Sequence, residues 1–182
     1  MKRFLMHSCS LVVLLLGIST LACRTSSVSN HAESITTVIL VRHAEKELVG
    51  DDPGLTQAGA DRASELAHVL GEVNVSAVYS TPFARTRNTA IPLANILGLD
   101  VTEVSVGQSF AAHMAEIIHI EHVGETVVIV SHSNTTPAII GELGVLPVPT
   151  IEDDEYDDLY VVTITAAGTV SLLPLRYGRE TN

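Results

Sequence analysis

The run Val38-Ile39-Leu40-Val41 is apolar and largely β-branched, with no polar alternation. That is the pattern of a strand buried on both faces. Such a strand needs cover on each side of its sheet, which points the chain toward an α/β fold. The run breaks off in Arg42-His43 and passes into the charged loop Ala44-Glu45-Lys46-Glu47. In open α/β sheets, ligands bind just beyond the carboxyl ends of the strands. A cation beside a nucleophile at that point suggests chemistry on an anion. Alone, the dipeptide fits a solvated loop equally well.

The rest of the chain supplies the missing layers. Thr56 is placed to cap a helix presenting Ala63, Leu66, Ala67 and Leu70 at helical spacing and stopping at Gly71. Ala77–Ser80 reads as a short strand and Arg85–Leu97 as a helix ending at Gly98. Asp100–Val106 follows as a weaker strand, Phe110–His122 as a helix, and Thr126–Val130 as another buried strand. Pro137–Leu143 is a short helix, and Tyr160–Thr165 with Thr169–Leu175 form a terminal hairpin. Strand alternating with helix predicts a three-layer α/β sandwich with a mixed, mostly parallel sheet. The hairpin supplies the antiparallel strands.

The chain has 182 residues, and its beginning reads as a leader. Lys2 and Arg3 precede the apolar stretch Leu11–Leu21, which is shorter than a membrane span and fits a signal peptide over residues 1–22. Leu21-Ala22-Cys23 resembles a lipobox, although Thr20 stands where leucine is usual, and ordinary cleavage after Ala22 also fits. Residues 23–34, serine-rich and polar, read as a tether, with Cys23 the candidate lipidation site. Residues 35–182 are left as one domain. Loss of Lys2 and Arg3 takes the net charge from −11 to −13. Such a surface repels nucleic acid and anionic headgroups, so membrane contact is expected only through a lipid anchor. With Cys9 removed, Cys23 has no partner for an internal disulfide.

Three strand ends carry chemistry. The first gives Arg42-His43. The second gives Ser80-Thr81-Pro82, with Arg85 on the following helix, and the fourth gives Ser131-His132-Ser133-Asn134. Parallel strands put these on one sheet edge. Two guanidiniums match phosphate oxygens in forked geometry. A histidine with its usual titration near neutrality can attack phosphorus. Helix N-termini after Pro82 and Thr135 would add amide donors.

Arranged in this order, the residues resemble the histidine phosphatase superfamily, also called phosphoglycerate mutase-like. The family's Arg-His-Gly/Ala is matched by Arg42-His43-Ala44, and its Leu-Thr-x-x-Gly by Leu55 to Gly59. Its Ser-x-Pro-x-x-Arg-x-x-x-Thr-Ala is matched by Ser80 to Ala90, and its second histidine by His132. The resemblance implies that His43 becomes phosphorylated while Arg42, Arg85 and His132 bind and stabilise the phosphoryl group. It implies a phosphorylated small molecule or phosphoprotein as substrate, and no metal or other cofactor.

The departures concern the proton donor. Family members that place an aspartate after the second histidine have it where this chain has Ser133; others carry a glutamate after the third strand. Between Val104 and Met114 there is no carboxylate; Glu103 and Glu116 are the nearest, and Glu103 is the candidate acid. A missing acid favours good leaving groups, and it leaves open a binding module without turnover. A phosphoglycerate mutase is the weaker alternative. The family's frequent asparagine after the first histidine is also absent.

Two other features are less specific. His113, Glu116, His119 and His122 recur every three residues, which sweeps them around a helix instead of gathering them for a metal; surface histidines are expected. Glu152 to Asp158 holds six carboxylates and reads as a solvated loop. A sharper alternative puts it at the rim of the pocket, since a strand antiparallel to the first would begin on the catalytic edge.

Overall fold

The computed structural model describes residues 34–181. The leader, Cys23 and all of the tether except Ser34 lie outside the described residues. The elements are β1 (Ile35–Arg42), α1 (Gln57–Leu70), β2 (Ala77–Ser80), α2 (Ala84–Leu97), β3 (Val101–Glu103), α3 (Phe110–Glu121), β4 (Thr126–Ser131), α4 (Thr135–Glu142), β5 (Asp158–Thr165) and β6 (Val170–Arg176). The six strands form one sheet in the order β3-β2-β4-β1-β5-β6. The first four elements of that order pair in parallel, whereas β5 and β6 run antiparallel. The expected mixed, mostly parallel α/β architecture is what the chain adopts.

Alternation along each strand divides the core in two, even though β1 and β4 show no polar alternation. Ile39 and Val41 of β1 pack with Val128 and Val130 of β4 against Leu66, Leu70 and Leu93 of α1 and α2. Val38 and Leu40 point the other way, with Val127 and Ile129, onto Met114, Ile118 and Ile139 of α3 and α4. Both faces of the central strands are thus buried, which is why their sequences read as unbroken apolar runs.

Local signals set the element ends. Thr56 Oγ1 accepts from the Gly59 amide and caps α1, and Gly98 at φ 69° closes α2. A Cβ at Gly59 would stand 2.1 Å from the Glu45 carbonyl oxygen, so only glycine lets α1 pack onto the loop after His43. One strand is shorter than its sequence suggests. Expected over Asp100–Val106, β3 holds only three residues. It lies at the sheet edge, and its partner β2 stops at Ser80, ahead of Thr81-Pro82; pairing ends there.

Candidate active site

His43 stands one residue past β1, its amide donating to the Ser131 carbonyl at 2.9 Å and so extending the parallel pairing. The side chain is 4% exposed. Nδ1 lies 2.8 Å from the Ala44 carbonyl, which can only accept, so the ring proton belongs on Nδ1 and the lone pair on Nε2. The Ala44 amide donates in turn to Thr89 Oγ1 at 2.9 Å, and Thr89 Oγ1 donates to the Arg85 carbonyl at 2.7 Å. A single threonine of α2 therefore ties the loop bearing the imidazole to the turn bearing the second guanidinium.

Arg42 is held by the segment that leads into β5. Its Nη1 donates to the backbone carbonyls of Glu152 (2.8 Å), Asp153 (3.0 Å) and Glu155 (2.9 Å), while Cζ lies 4.1 Å from the Tyr156 ring centre. Arg85 sits over the Phe83 ring at 4.4 Å and faces Asp52 at 3.8 Å. The Nε–H groups of both arginines are buried and lack a partner among the protein atoms. Two unpaired charged donors are costly unless an anion accepts from them, and tetrahedral oxyanions suit that requirement.

The fourth member comes from the end of β4. His132 Nε2 lies 3.0 Å from Thr81 Oγ1, itself 2.7 Å from Thr86 Oγ1. Thr86 Oγ1 also faces the carbonyls of Thr81 and Phe83 at 2.9 and 2.8 Å, which can only accept. Its proton goes to one of them, the Thr81 hydroxyl donates to Thr86, and His132 Nε2–H donates to Thr81. The His43 and His132 rings meet edge to face at 5.4 Å, and Phe83 packs on His132 at the same distance. Burial pushes the His43 imidazole down to about 3, opposed by its bond to Ala44 and reinforced by His132, Arg42 and Arg85. Burial, with Arg85 and Arg42, pushes His132 down to about 4. Both rings are neutral at neutral pH.

These four side chains line one cleft of about 330 Å³ together with Lys46, Phe83, Val106, Ser133, Asn134 and Thr135. The structure brings Arg42, His43, Arg85 and His132 together as the sequence order suggests. Glu103 is not among the lining residues: its carboxylate pairs with Arg87 at 3.6 Å. At the start of α2 the Ala84 amide is already taken, because both Asp52 oxygens accept from it. Among the described residues, no group of three or more His, Cys, Asp or Glu is arranged to hold a metal.

Two expectations need correction. His122 is not a surface histidine: it is buried between Tyr79 Oη and Glu125 Oε2, each at 2.7 Å. It follows the last turn of α3, so the chain turns its ring inward onto β2. The acidic run is not a solvated loop throughout. Asp157 and Asp158 are buried and paired with Arg176 of β6, and the backbone ahead of them cages Arg42. The rim alternative had the right edge of the sheet, but the contact is made by carbonyls. Tyr156, Phe83, Lys46 and Thr89 were not singled out by the sequence as individual contributors. Of these, only Thr89 carried a signal, through its place in the Ser80–Ala90 motif.

Comparison with known proteins points to one superfamily. Residues 38–106 match the profile of the histidine phosphatase superfamily (branch 1). That span contains Arg42, His43 and Arg85 and stops short of His132. A curated relative, phosphoserine phosphatase 1 of Hydrogenobacter thermophilus, is 39% identical over 71 residues, 35% of this chain and 34% of the relative. The match thus spans about a third of that protein's length. Among solved structures, the protein histidine phosphatase SixA complexed with tungstate aligns with a TM-score of 0.61 at 18% identity, covering 77% of this chain and 96% of that one. A phosphoglycerate mutase from Plasmodium falciparum aligns with a TM-score of 0.57 at 16% identity, covering 77% and 89%. At such identities the structural likeness speaks to the fold.

Proposed function

We propose that the chain, whose residues 38–106 match the histidine phosphatase superfamily profile, is a phosphatase of that superfamily working through a phosphohistidine on His43. The observation that carries the reading is the pair of buried, unpartnered Nε–H donors of Arg42 and Arg85 beside a neutral imidazole. A phosphoryl group placed between the guanidiniums satisfies both donors. His43 Nε2, with its proton held at Nδ1 by Ala44, then has a lone pair for attack on phosphorus. The bond to Ala44 also lets the ring carry the positive charge that attack creates. As charge spreads over the equatorial oxygens, the two arginines stabilise it in a site already arranged for it. Water attack on phosphohistidine releases phosphate and regenerates the ring.

A binding module without turnover is the reading favoured by one observation, the lack of a carboxylate in the cleft lining. Replacing His43 with alanine separates the two. In a phosphatase, His43→Ala abolishes hydrolysis of an aryl phosphate while the far-ultraviolet circular dichroism stays unchanged. A wild-type chain that binds phosphate but never forms an acid-labile phosphoprotein is a binder. Phosphate esters and phosphoramidates are both proposed substrates, as small molecules or on phosphoproteins.

The leader and Cys23 support export to a bacterial cell envelope with a lipid anchor. Radiolabelled palmitate incorporated by the wild type, and lost in Cys23→Ser, is the expected result in a bacterial host.

A further inference from the structure

Once the four clamp residues are set aside, the cleft lining contains Lys46, Phe83, Val106, Ser133, Asn134 and Thr135. Only Lys46 in that remainder is ionisable. It stands three residues after His43, at the foot of a short excursion closed by its backbone bridge to Leu55 and by the bond from the Glu47 amide to the Gly54 carbonyl. Its side chain is half-buried, and among the described residues it makes no ion pair.

No carboxylate is among the cleft-lining residues, and several on the neighbouring segments are engaged elsewhere. Glu45 forks onto Arg62, Asp52 caps α2 and faces Arg85, and Glu103 pairs with Arg87. Glu155 accepts from the Glu152 amide and faces Arg176. Breaking a phosphate ester nevertheless places negative charge on the departing oxygen, which in an in-line displacement leaves on the side opposite the attacking Nε2.

We propose that Lys46 is the catalytic acid of this site, its ammonium donating a proton to the leaving-group oxygen. This rests on the phosphohistidine reading above. As His43 Nε2 forms the P–N bond, the P–O bond breaks and its electron pair leaves on the ester oxygen. That oxygen takes a proton from Lys46 Nζ, leaving a neutral amine. The amine then accepts a proton from the water that attacks phosphohistidine. The P–N bond breaks, its electron pair returns to Nε2, and the cycle closes with phosphate and alcohol as products. Acid and base are then the same group in two protonation states, as microscopic reversibility requires.

The test is the dependence of kcat/KM on the leaving group, measured from 4-nitrophenyl to phenyl to alkyl phosphate, for wild type, Lys46→Met and Lys46→Gln. Because kcat/KM ends with departure of the first product, it isolates the step in which Lys46 acts. The nitrophenolate needs little help, so its loss stays within about tenfold, whereas the phenyl and alkyl esters lose about 10²–10⁴-fold. The widening gap is the signature, since misfolding or loss of general anion attraction lowers every ester alike. Parallel losses across the series overturn the role of Lys46. Steepening in Asp52→Asn, with none in the two Lys46 variants, transfers the role to Asp52 and overturns it too. A wild-type chain releasing no phosphate from any ester overturns the phosphatase reading itself, and is seen before any variant is made.

Discussion

The guanidinium carbon of Arg42 lies 4.1 Å from the centre of the Tyr156 ring, while the same ring stands 6.2 Å from that of His43. A tyrosine from the acidic run thus stacks on Arg42, the last residue of β1, and stands beside His43, which follows it. Its backbone neighbours hold Arg42 Nη1 through three carbonyls, which leaves the buried Nε–H facing no protein acceptor. The Arg42 guanidinium, the first of the proposed phosphate-binding groups, is therefore oriented by the segment that leads into β5, the strand paired with β1.

Removing the ring should loosen that guanidinium. A cation–π contact of this kind is worth about 0.5–2 kcal/mol, so Tyr156→Leu is expected to lower kcat/KM by about 3–30-fold. Tyr156→Phe keeps the ring and should stay near wild type. Steady-state kinetics on an aryl phosphate, with inhibition by inorganic phosphate as a second readout, check this. Equal activity of all three would mean that the carbonyls alone position Arg42.

Thr89 links the two halves of the clamp through the Ala44 amide and the Arg85 carbonyl. Thr89→Val preserves its shape and removes both bonds. The buried amide left unpaired should cost about 1–3 kcal/mol, read as a lower urea midpoint at unchanged m. Activity should fall as well, because the imidazole loop is no longer tied to the arginine turn. Thr89→Ser should recover most of both.

The pH dependence follows from the depressed histidines. His43 titrates at about 3 and His132 at about 4 in the fold, against 6.5 ordinarily. Lowering the pH through 6.5 therefore protonates the unfolded chain before the native one. Their contribution to stability is complete above pH 6.5 and is lost as pH falls toward the folded values. A thermal midpoint followed from pH 7 to pH 4 should drop. The acid limb of kcat/KM, corrected for the substrate's own titration, should lie near pH 4 or below rather than near 6.5.

Glu103 looked like the nearest acid in the sequence, but its carboxylate faces Arg87. Exposed pairs of this kind contribute about 0–1 kcal/mol, so Glu103→Gln should change stability little. Its kcat should stay within about twofold of wild type, against the 10²–10⁴-fold typical of losing a general acid. A large loss in kcat with intact folding would return Glu103 to the mechanism.

What the sequence determined by itself is whatever short-range chemistry dictates. Val38–Val41 and Thr126–Val130 had to be strands buried on both faces, Thr56 had to cap a helix, and Arg42-His43, Arg85 and His132 each had to follow closely on the end of a strand. The tertiary structure decided everything that depends on pairing distant segments. Tyr156 reaches Arg42 because β5 lies antiparallel to β1, opposite Val41 at Leu159. Lys46 shares the cleft because the loop closes on Leu55, and His122 turns inward because Tyr79 and Glu125 await it. Periodicity along a chain records which face of an element is buried; it carries no information on which remote carbonyl, ring or carboxylate will meet a given side chain.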